Sequence, residues 1–245
     1  MTNGLVGYFG PFSVSSATSS VQQEPLHLSR ALTIPWLGSA ILFDLDGVLV
    51  DSTECVERAW RKWATRRGLD PERVMEVAHG RRTIETVALV APHLVLADEV
   101  AALEGVEAHT TEGVYEIPGA RQLLERLPDD AWAIVTSGIR SVATLRIRHT
   151  GLPTPRVLVC ADEITRGKPD PEGYLTAAAR LGRAPADCVV IEDTPLGLEA
   201  ARAAGMRSIG IAGTYPASAL IADLVVPSLT ALPAEVLDAV ISRAT

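Results

Sequence analysis

The chain has 245 residues, of which 47% are hydrophobic, and it carries a formal net charge of −8 at pH 7. This length accommodates one large domain, or a core domain with a smaller insert. The acidic balance argues against nonspecific binding to nucleic acid or to anionic membranes, because such binding needs a surplus of basic side chains.

The cysteines and the apolar stretches bear on the compartment. Cys55, Cys160 and Cys188 are odd in number and widely spaced. This favours a reducing compartment over secretion, and we expect each to be a small buried residue. No apolar stretch reaches the roughly 18–20 residues of a membrane span. We therefore expect a cytoplasmic protein without membrane contact. Monomer and dimer are both compatible with the sequence.

Residues 1–38 differ in composition from the rest of the chain. They contain repeated glycines and a run rich in Ser and Thr from Ser13 to Ser20. Neither helical nor strand periodicity extends over a useful length. We therefore predict an N-terminal extension that is flexible and lies outside the catalytic core.

An apolar run at 41–43 predicts a buried strand, and Asp44, Asp46 and Gly47 follow it directly. Side chains alternate along a strand, so both carboxylates leave on the same side. They lie at the carboxyl end, where open α/β sheets place their chemistry, and Gly47 permits a sharp turn. One such carboxylate can attack and bind metal while the other moves a proton.

From Asp51 onward the pattern becomes helical. Asp51 and Glu54 have the spacing of a capping box, and an apolar stripe follows at Val56, Ala59, Trp60 and Trp63. We expect the two tryptophans to pack in a core rather than against a substrate. Further helices are predicted at 71–78, 83–91 and 97–112, and no strand signal occurs before Ile117. Residues 52–117 are therefore predicted to form an all-helical insert.

Strands and helices alternate after Pro118. Strands are predicted at 132–136, 157–160, 188–192, 207–211 and 223–226, and helices at 119–127, 140–150, 171–182, 195–204 and 230–243. This alternation implies an α/β fold with a parallel sheet that carries helices on both faces. Residues 39–51 and 118–245 form this core, and the helical insert should cap the carboxyl edge of the sheet.

Polar residues suited to phosphate and metal follow other predicted strands. Ser137 and Gly138 offer a hydroxyl and a backbone N–H to a phosphate oxygen. Lys168 is one of only two lysines in the chain, and a phosphoryl group needs such a fixed cation. Glu192 and Asp193 end another strand, and carboxylates are the ligands that Mg²⁺ prefers.

The four segments, in this order and with a helical insert after the first, resemble the motifs of the haloacid-dehalogenase-like superfamily of phosphotransferases. The resemblance implies a Rossmann-like core with a helical cap. It implies that Asp44 is the nucleophile and Asp46 the general acid/base. It also implies that Lys168 contacts both the nucleophile and the phosphate, which Ser137 and Gly138 bind as well.

The same resemblance implies Mg²⁺ as the cofactor. It makes Asp193 a metal ligand beside Asp44 and the backbone carbonyl of Asp46. Glu192 is then expected to bind the ion directly or through water.

Features of the insert narrow the branch of the superfamily. Asp46 argues against dehalogenase chemistry, and Lys62 is the insert's one lysine, which argues against phosphonate hydrolases. The segment at 79–87 resembles the cap of small sugar-phosphate and polyol-phosphate phosphatases. This implies that hydroxyls or phosphate of a small substrate are met by His79, Arg81, Arg82 and Glu85. A loop whose arginines extend into water is the alternative interpretation.

The resulting hypothesis is a Mg²⁺-dependent phosphatase that hydrolyses small phosphorylated sugars or polyols through an aspartyl-phosphate, with that metabolite as its partner. A phosphosugar mutase would use the same nucleophile but pass the phosphoryl group to a second sugar hydroxyl. A non-catalytic phospho-ligand-binding protein is a third possibility, but a binder has no need of Asp46.

Overall fold

The computed structural model describes residues 38–244. Apart from Gly38, the predicted N-terminal extension lies outside the described residues. The strands are β1 (Ala40–Phe43), β2 (Val50–Asp51), β3 (Tyr115–Glu116), β4 (Trp132–Val135), β5 (Leu158–Val159), β6 (Cys188–Glu192), β7 (Arg207–Ile211) and β8 (Leu224–Val226).

The main sheet has six strands in the order β5-β4-β1-β6-β7-β8, and every neighbouring pair is parallel. Its central strands β1, β4 and β6 are buried along their whole length, as expected of continuous apolar runs in a sheet covered on both faces. The chain leaves β1 toward β4 and leaves β6 toward β7. The carboxyl ends of β1 and β6 therefore flank a topological switch point, where open α/β sheets form a crevice.

The core helices lie between these strands or after them. They are α5 (Ala120–Leu124), α6 (Arg140–Thr150), α7 (Glu172–Leu181), α8 (Pro195–Ala203) and α9 (Ala234–Ala244). Small residues of α7 and α8 pack on β1, β4 and β6 in one apolar cluster, while α9 also contacts β1. The α/β architecture predicted from the alternating pattern is confirmed, and most predicted bounds agree within one or two residues.

The insert contains α1 (Thr53–Arg66), α2 (Pro71–Ala78), α3 (Thr83–Val90) and α4 (Leu96–Glu107). These helices share an apolar cluster in which Trp60 and Trp63 meet edge to face, with ring centroids 5.5 Å apart. The expectation that both tryptophans pack in a core is therefore confirmed. Within the cluster, Trp63 Nε1 donates to Glu99 at 2.7 Å, which satisfies its buried N–H.

The entry to the insert differs from the sequence-based prediction. β2 and β3 pair antiparallel, Asp51 opposite Tyr115, whereas no strand is expected there, because two residues are too few to show alternation. Asp51 is therefore in a strand and does not form the predicted capping box. Helix α1 follows Ser52 instead. The Ser52 hydroxyl makes no cap bond and donates to Asp46, while Asp51 Oδ1 accepts from the Thr53 N–H at 3.1 Å.

The three cysteines have the environment expected of small apolar residues. Cys55, Cys160 and Cys188 are free and buried, as the sequence predicts. Between residues 38 and 244, no helix is both long and apolar enough to cross a membrane.

Candidate active site

Two buried carboxylates lie at the switch point of the sheet. Asp44 directly follows β1 and Asp193 directly follows β6, and their side chains are almost inaccessible to solvent. The Asp44 N–H donates to Ile191 O at 3.0 Å and extends the ladder between the two strands. Parallel pairing therefore brings together residues that are far apart in the sequence.

Lys168 joins this pair from the loop before α7. Its Nζ donates to Asp44 Oδ1 and, at 2.5 Å, to Glu192 Oε1. The ammonium also lies 5.4 Å from the centre of the Tyr174 ring. Burial alone would lower the pKa of Lys168, but the carboxylates of Asp44 and Glu192 raise it well above its usual range. The structure therefore provides a fixed, charged ammonium in direct contact with Asp44.

Glu192 is fully buried, and protein groups occupy both of its oxygens. Oε1 accepts from Lys168 and from the Tyr174 hydroxyl. Oε2 accepts from the backbone N–H groups of Asp193 and Thr194, each at 2.8 Å, and from the Thr194 hydroxyl at 2.9 Å. Neither oxygen of Glu192 lacks a protein partner, and its binding to a metal ion, directly or through water, stays a prediction. Its place is to fix the lysine and the turn after β6.

The Mg²⁺ ion implied by the resemblance fits the remaining carboxylates. Asp193 Oδ1 is buried with no hydrogen-bond partner. Burial, together with the charges of Glu192 and Asp44, raises the pKa of Asp193 well above its usual range. Burial likewise raises the pKa of Asp44 to about 7 against the opposing effect of Lys168. A divalent cation would supply the missing partner and compensate this negative charge.

Gly47 explains how the turn after β1 approaches Asp193. Its φ is +87°, in the region that favours glycine, and a Cβ at this position would overlap the Asp193 carboxylate. The glycine is thus required both by the backbone and by the close approach.

The segment after β4 carries two hydroxyls, of which only that of Ser137 was predicted to bind phosphate. Ser137 Oγ donates to Gly80 O at 2.8 Å, so its hydroxyl is bound to the loop of the insert. Thr136 is buried, lines the same cleft, and accepts from the Gly138 N–H at 3.0 Å. Thr136 directly follows its strand, as Asp44 and Asp193 follow theirs, and that shared position could have identified it.

Asp46 also lines the cleft, with its side chain 27% exposed. Its Oδ1 accepts from Ser52 Oγ at 2.7 Å and lies 2.8 Å from Arg146 Nη1. Arg146 also pairs with Glu107 of the insert: Arg146 Nη2 lies 3.1 Å from Glu107 Oε2. No sequence motif indicated Arg146 or Glu107, because each is one charged residue within an ordinary helix.

The four insert residues that were predicted to contact the substrate fall into two groups. His79 and Arg81 line the cleft, and burial lowers the pKa of His79. Arg82 instead donates to Ile164 O at 3.0 Å and Thr165 O at 2.8 Å, and it pairs with Glu85.

Glu85 completes this second group. Its Oε1 accepts from the Gly167 N–H at 3.0 Å, next to Lys168. Arg82 and Glu85 Oε1 therefore bind the loop that carries Lys168, whereas Glu85 Oε2 is buried with no hydrogen-bond partner. A contact of these two residues with substrate stays a prediction.

Comparisons with known proteins agree with this arrangement. A family model described as haloacid dehalogenase-like hydrolase matches residues 39–205. Hexitol phosphatase A of Escherichia coli is 47% identical over 175 residues, which cover 69% of this chain and 81% of that protein. The 2-deoxyglucose-6-phosphate phosphatase 1 of Saccharomyces cerevisiae is 37% identical over 216 residues, which cover 77% and 87% of the two chains.

A solved structure is similar as well. CbbY from Rhodobacter sphaeroides in complex with phosphate has a TM-score of 0.71 and 27% identity, covering 81% of this chain and 98% of that one. The residues matched by the family model contain the ends of β1, β4 and β6 and the loop of Lys168. The chain belongs to the haloacid dehalogenase-like hydrolase family.

Proposed function

We propose that this protein is a Mg²⁺-dependent phosphatase that hydrolyses small phosphorylated sugars or polyols. The chain belongs to a hydrolase family, and its relatives include named phosphatases. It is therefore a hydrolase that acts on phosphate monoesters. The observation that carries the proposed mechanism is the contact between Lys168 and Asp44 at the switch point, beside the unpartnered Oδ1 of Asp193.

In the first step, Asp44 attacks phosphorus and forms an aspartyl-phosphate while the bond to the leaving oxygen breaks. Because Lys168 binds Oδ1 of Asp44, the other carboxylate oxygen of Asp44 is the one that attacks. Asp46 gives a proton to the departing alkoxide, so the product leaves as a neutral alcohol.

In the second step, Asp46 takes a proton from water, and the resulting hydroxide attacks phosphorus. The bond between phosphorus and Asp44 breaks, which releases phosphate and restores the carboxylate. We infer that Thr136, the segment of Ser137 and Gly138, and Lys168 hold the phosphoryl oxygens.

Asp44, Asp193 and the backbone carbonyl of Asp46 are the proposed Mg²⁺ ligands. When bound there, the ion would offset the charge of the phosphoryl group and of the carboxylates. Glu192 takes no direct part in this set, because its oxygens bind Lys168, Thr194 and the adjacent backbone.

The proposed substrate class rests on the relatives and on the insert. The relatives reported above are named as phosphatases of a hexitol phosphate and of a hexose phosphate. In this chain, His79 and Arg81 of the insert line the same cleft as Asp44 and Asp46. Their polar groups are suited to hydrogen-bond several hydroxyls of a small ligand.

A panel of phosphate esters tests the proposal. Purified protein with Mg²⁺ should release phosphate faster from sorbitol 6-phosphate, 2-deoxyglucose 6-phosphate or glycerol 1-phosphate than from nucleotides. EDTA should stop the reaction and Mg²⁺ should restore it. Conversion of a sugar phosphate to its isomer without phosphate release would instead identify a mutase. Full activity after metal removal would contradict the metal requirement.

A further inference from the structure

Asp46 has a charged partner outside the four strand-end segments. Arg146 is in core helix α6, and its side chain is only 3% exposed. Its two terminal nitrogens bind different carboxylates: Nη1 lies 2.8 Å from Asp46 Oδ1, and Nη2 lies 3.1 Å from Glu107 Oε2. Glu107 ends helix α4 of the insert and is 11% exposed. One planar guanidinium thus connects the core, the proposed acid/base and the insert.

The contacts are concentrated on one oxygen of Asp46. Ser52 Oγ donates to the same Oδ1 that Arg146 binds, at 2.7 Å. Two donors from different directions restrict rotation of the carboxylate about its own axis, since turning it would break both bonds. Oδ2 is left as the oxygen that can carry the proton.

Stability alone is a weak reason for this arrangement. Taking a guanidinium and two carboxylates out of water costs nearly as much as their attraction returns, so a buried pair adds little net stability. Apolar side chains could fill the same space. Stability therefore does not explain why the guanidinium of Arg146 binds the proposed proton donor, Asp46.

We propose that Arg146 is a positioning residue for Asp46. It holds the carboxylate at the angle from which Oδ2 reaches the leaving oxygen. Because it also binds Glu107, this orientation depends on the place of the insert above the core. The inference rests on the proposed function, in which Asp46 protonates the leaving alcohol.

Leaving-group dependence tests this role. An alkyl phosphate such as sorbitol 6-phosphate or glycerol 1-phosphate needs a proton on its leaving oxygen, whereas p-nitrophenolate departs without one. The ratio of kcat/KM for the alkyl ester to that for p-nitrophenyl phosphate therefore reports proton delivery. The fraction of folded enzyme cancels in this ratio, so a destabilised variant still gives an answer.

The reference variant is Asp46→Asn, which should lower the ratio by about 100-fold, as loss of a general acid does. Arg146→Gln should lower it by about tenfold. Arg146→Lys should give a smaller decrease than Arg146→Gln, because it retains a positive charge beside Asp46. It should not restore the wild-type ratio, because an ammonium cannot match two carboxylates in fork geometry. In the Asp46→Asn background, Arg146→Gln should cause no further decrease, since it acts through Asp46. Arg148→Gln is the matched control: Arg148 is an exposed residue of the same helix, and the ratio should not change.

The outcomes are separable. If Asp46→Asn leaves the ratio unchanged, the proposed role of Asp46 is wrong, and the role of Arg146 is wrong with it. If Asp46→Asn lowers the ratio but Arg146→Gln lowers both kcat/KM values equally, Arg146 is structural only. The same conclusion holds if Arg146→Gln changes neither value.

Discussion

Arg82 and Arg81 are adjacent, but the structure predicts different effects for their replacement by Ala: Arg82→Ala should lower stability, whereas Arg81→Ala should lower activity toward sugar phosphates. Arg82 makes charge-assisted hydrogen bonds to Ile164 O at 3.0 Å and Thr165 O at 2.8 Å, and its side chain is 11% exposed. Hydrogen bonds to charged groups contribute about 1.5–3 kcal/mol each, less where solvent competes. Arg82→Ala should therefore lower the free energy of unfolding by about 2–4 kcal/mol. For a domain of this size that corresponds to a decrease of about 4–16 °C in Tm.

Activity should change in a characteristic way. The contacts of Arg82 and Glu85 hold the loop at Gly167, beside Lys168, so Arg82→Ala should slow sugar phosphates and p-nitrophenyl phosphate by similar factors. Arg81 lines the cleft, and its Nε is buried without a hydrogen-bond partner. Arg81→Ala should leave Tm within the small range of ordinary surface changes and slow sugar phosphates selectively.

Urea unfolding and thermal unfolding, both followed by circular dichroism, measure the free energy of unfolding and Tm, and kcat/KM is measured for both substrates. Glu85→Gln is a useful companion, because it retains the shape while weakening the pair with Arg82. The reasoning is refuted if Arg82→Ala keeps the wild-type Tm and loses activity only toward sugar phosphates. In that case Arg82 contacts substrate, as the sequence pattern suggests.

Three further predictions follow from the site and the core. Asp44→Asn should lower kcat by at least about 10³-fold, because an amide cannot form the aspartyl-phosphate; phosphate-release assays measure this, and near-normal turnover would exclude the proposed nucleophile. Gly47→Ala should abolish Mg²⁺-dependent activity, because its Cβ would displace the Asp193 carboxylate; activity at ordinary Mg²⁺ concentrations would contradict that. Burial raises the pKa of Cys160 to about 12 and of Cys188 to about 11. Since the thiolate is the reactive form, thiols at pH 8 exceed thiolates by at least about 10³-fold. Ellman's reagent should therefore label both slowly in native protein and rapidly in guanidinium chloride, and fast native labelling would show that they are accessible.

The sequence predicted the parts of the structure that repeat a pattern. The bounds of β6 and β7 were found to the residue. In β6 an apolar run continues to Glu192, because full burial leaves no polar interruption before the strand end. Asp44, Lys168 and Asp193 were identified because each stands beside such a run or a helix start. The paired strands β2 and β3 were missed, since a two-residue strand has no period.

The remainder of the site depends on tertiary contacts that no local pattern encodes. Arg146 and Glu107 belong to helices of the core and the insert, and only packing brings their charges together. Glu192 was predicted to be a metal ligand from its residue type. Its hydrogen-bond partners Lys168 and Tyr174 lie in the loop before α7 and in α7 itself, and only the fold brings them to the end of β6. Thr136 was overlooked because the adjacent Ser137 has the same chemistry.

The order of strands in the sheet constrains the synthesis of this enzyme. Ile41 of β1 pairs with Trp132 on one side and Val189 on the other, so its second neighbour is made about 150 residues later. At the usual rate of translation this delay is about 8–30 s, during which the apolar strand that precedes the nucleophile has an open edge. The helices of the insert contact one another within a short stretch of chain and can form earlier. A chain that stops before β6 therefore has a folded insert, no Asp193 and an exposed catalytic strand, so interrupted synthesis should give aggregates rather than partly active enzyme.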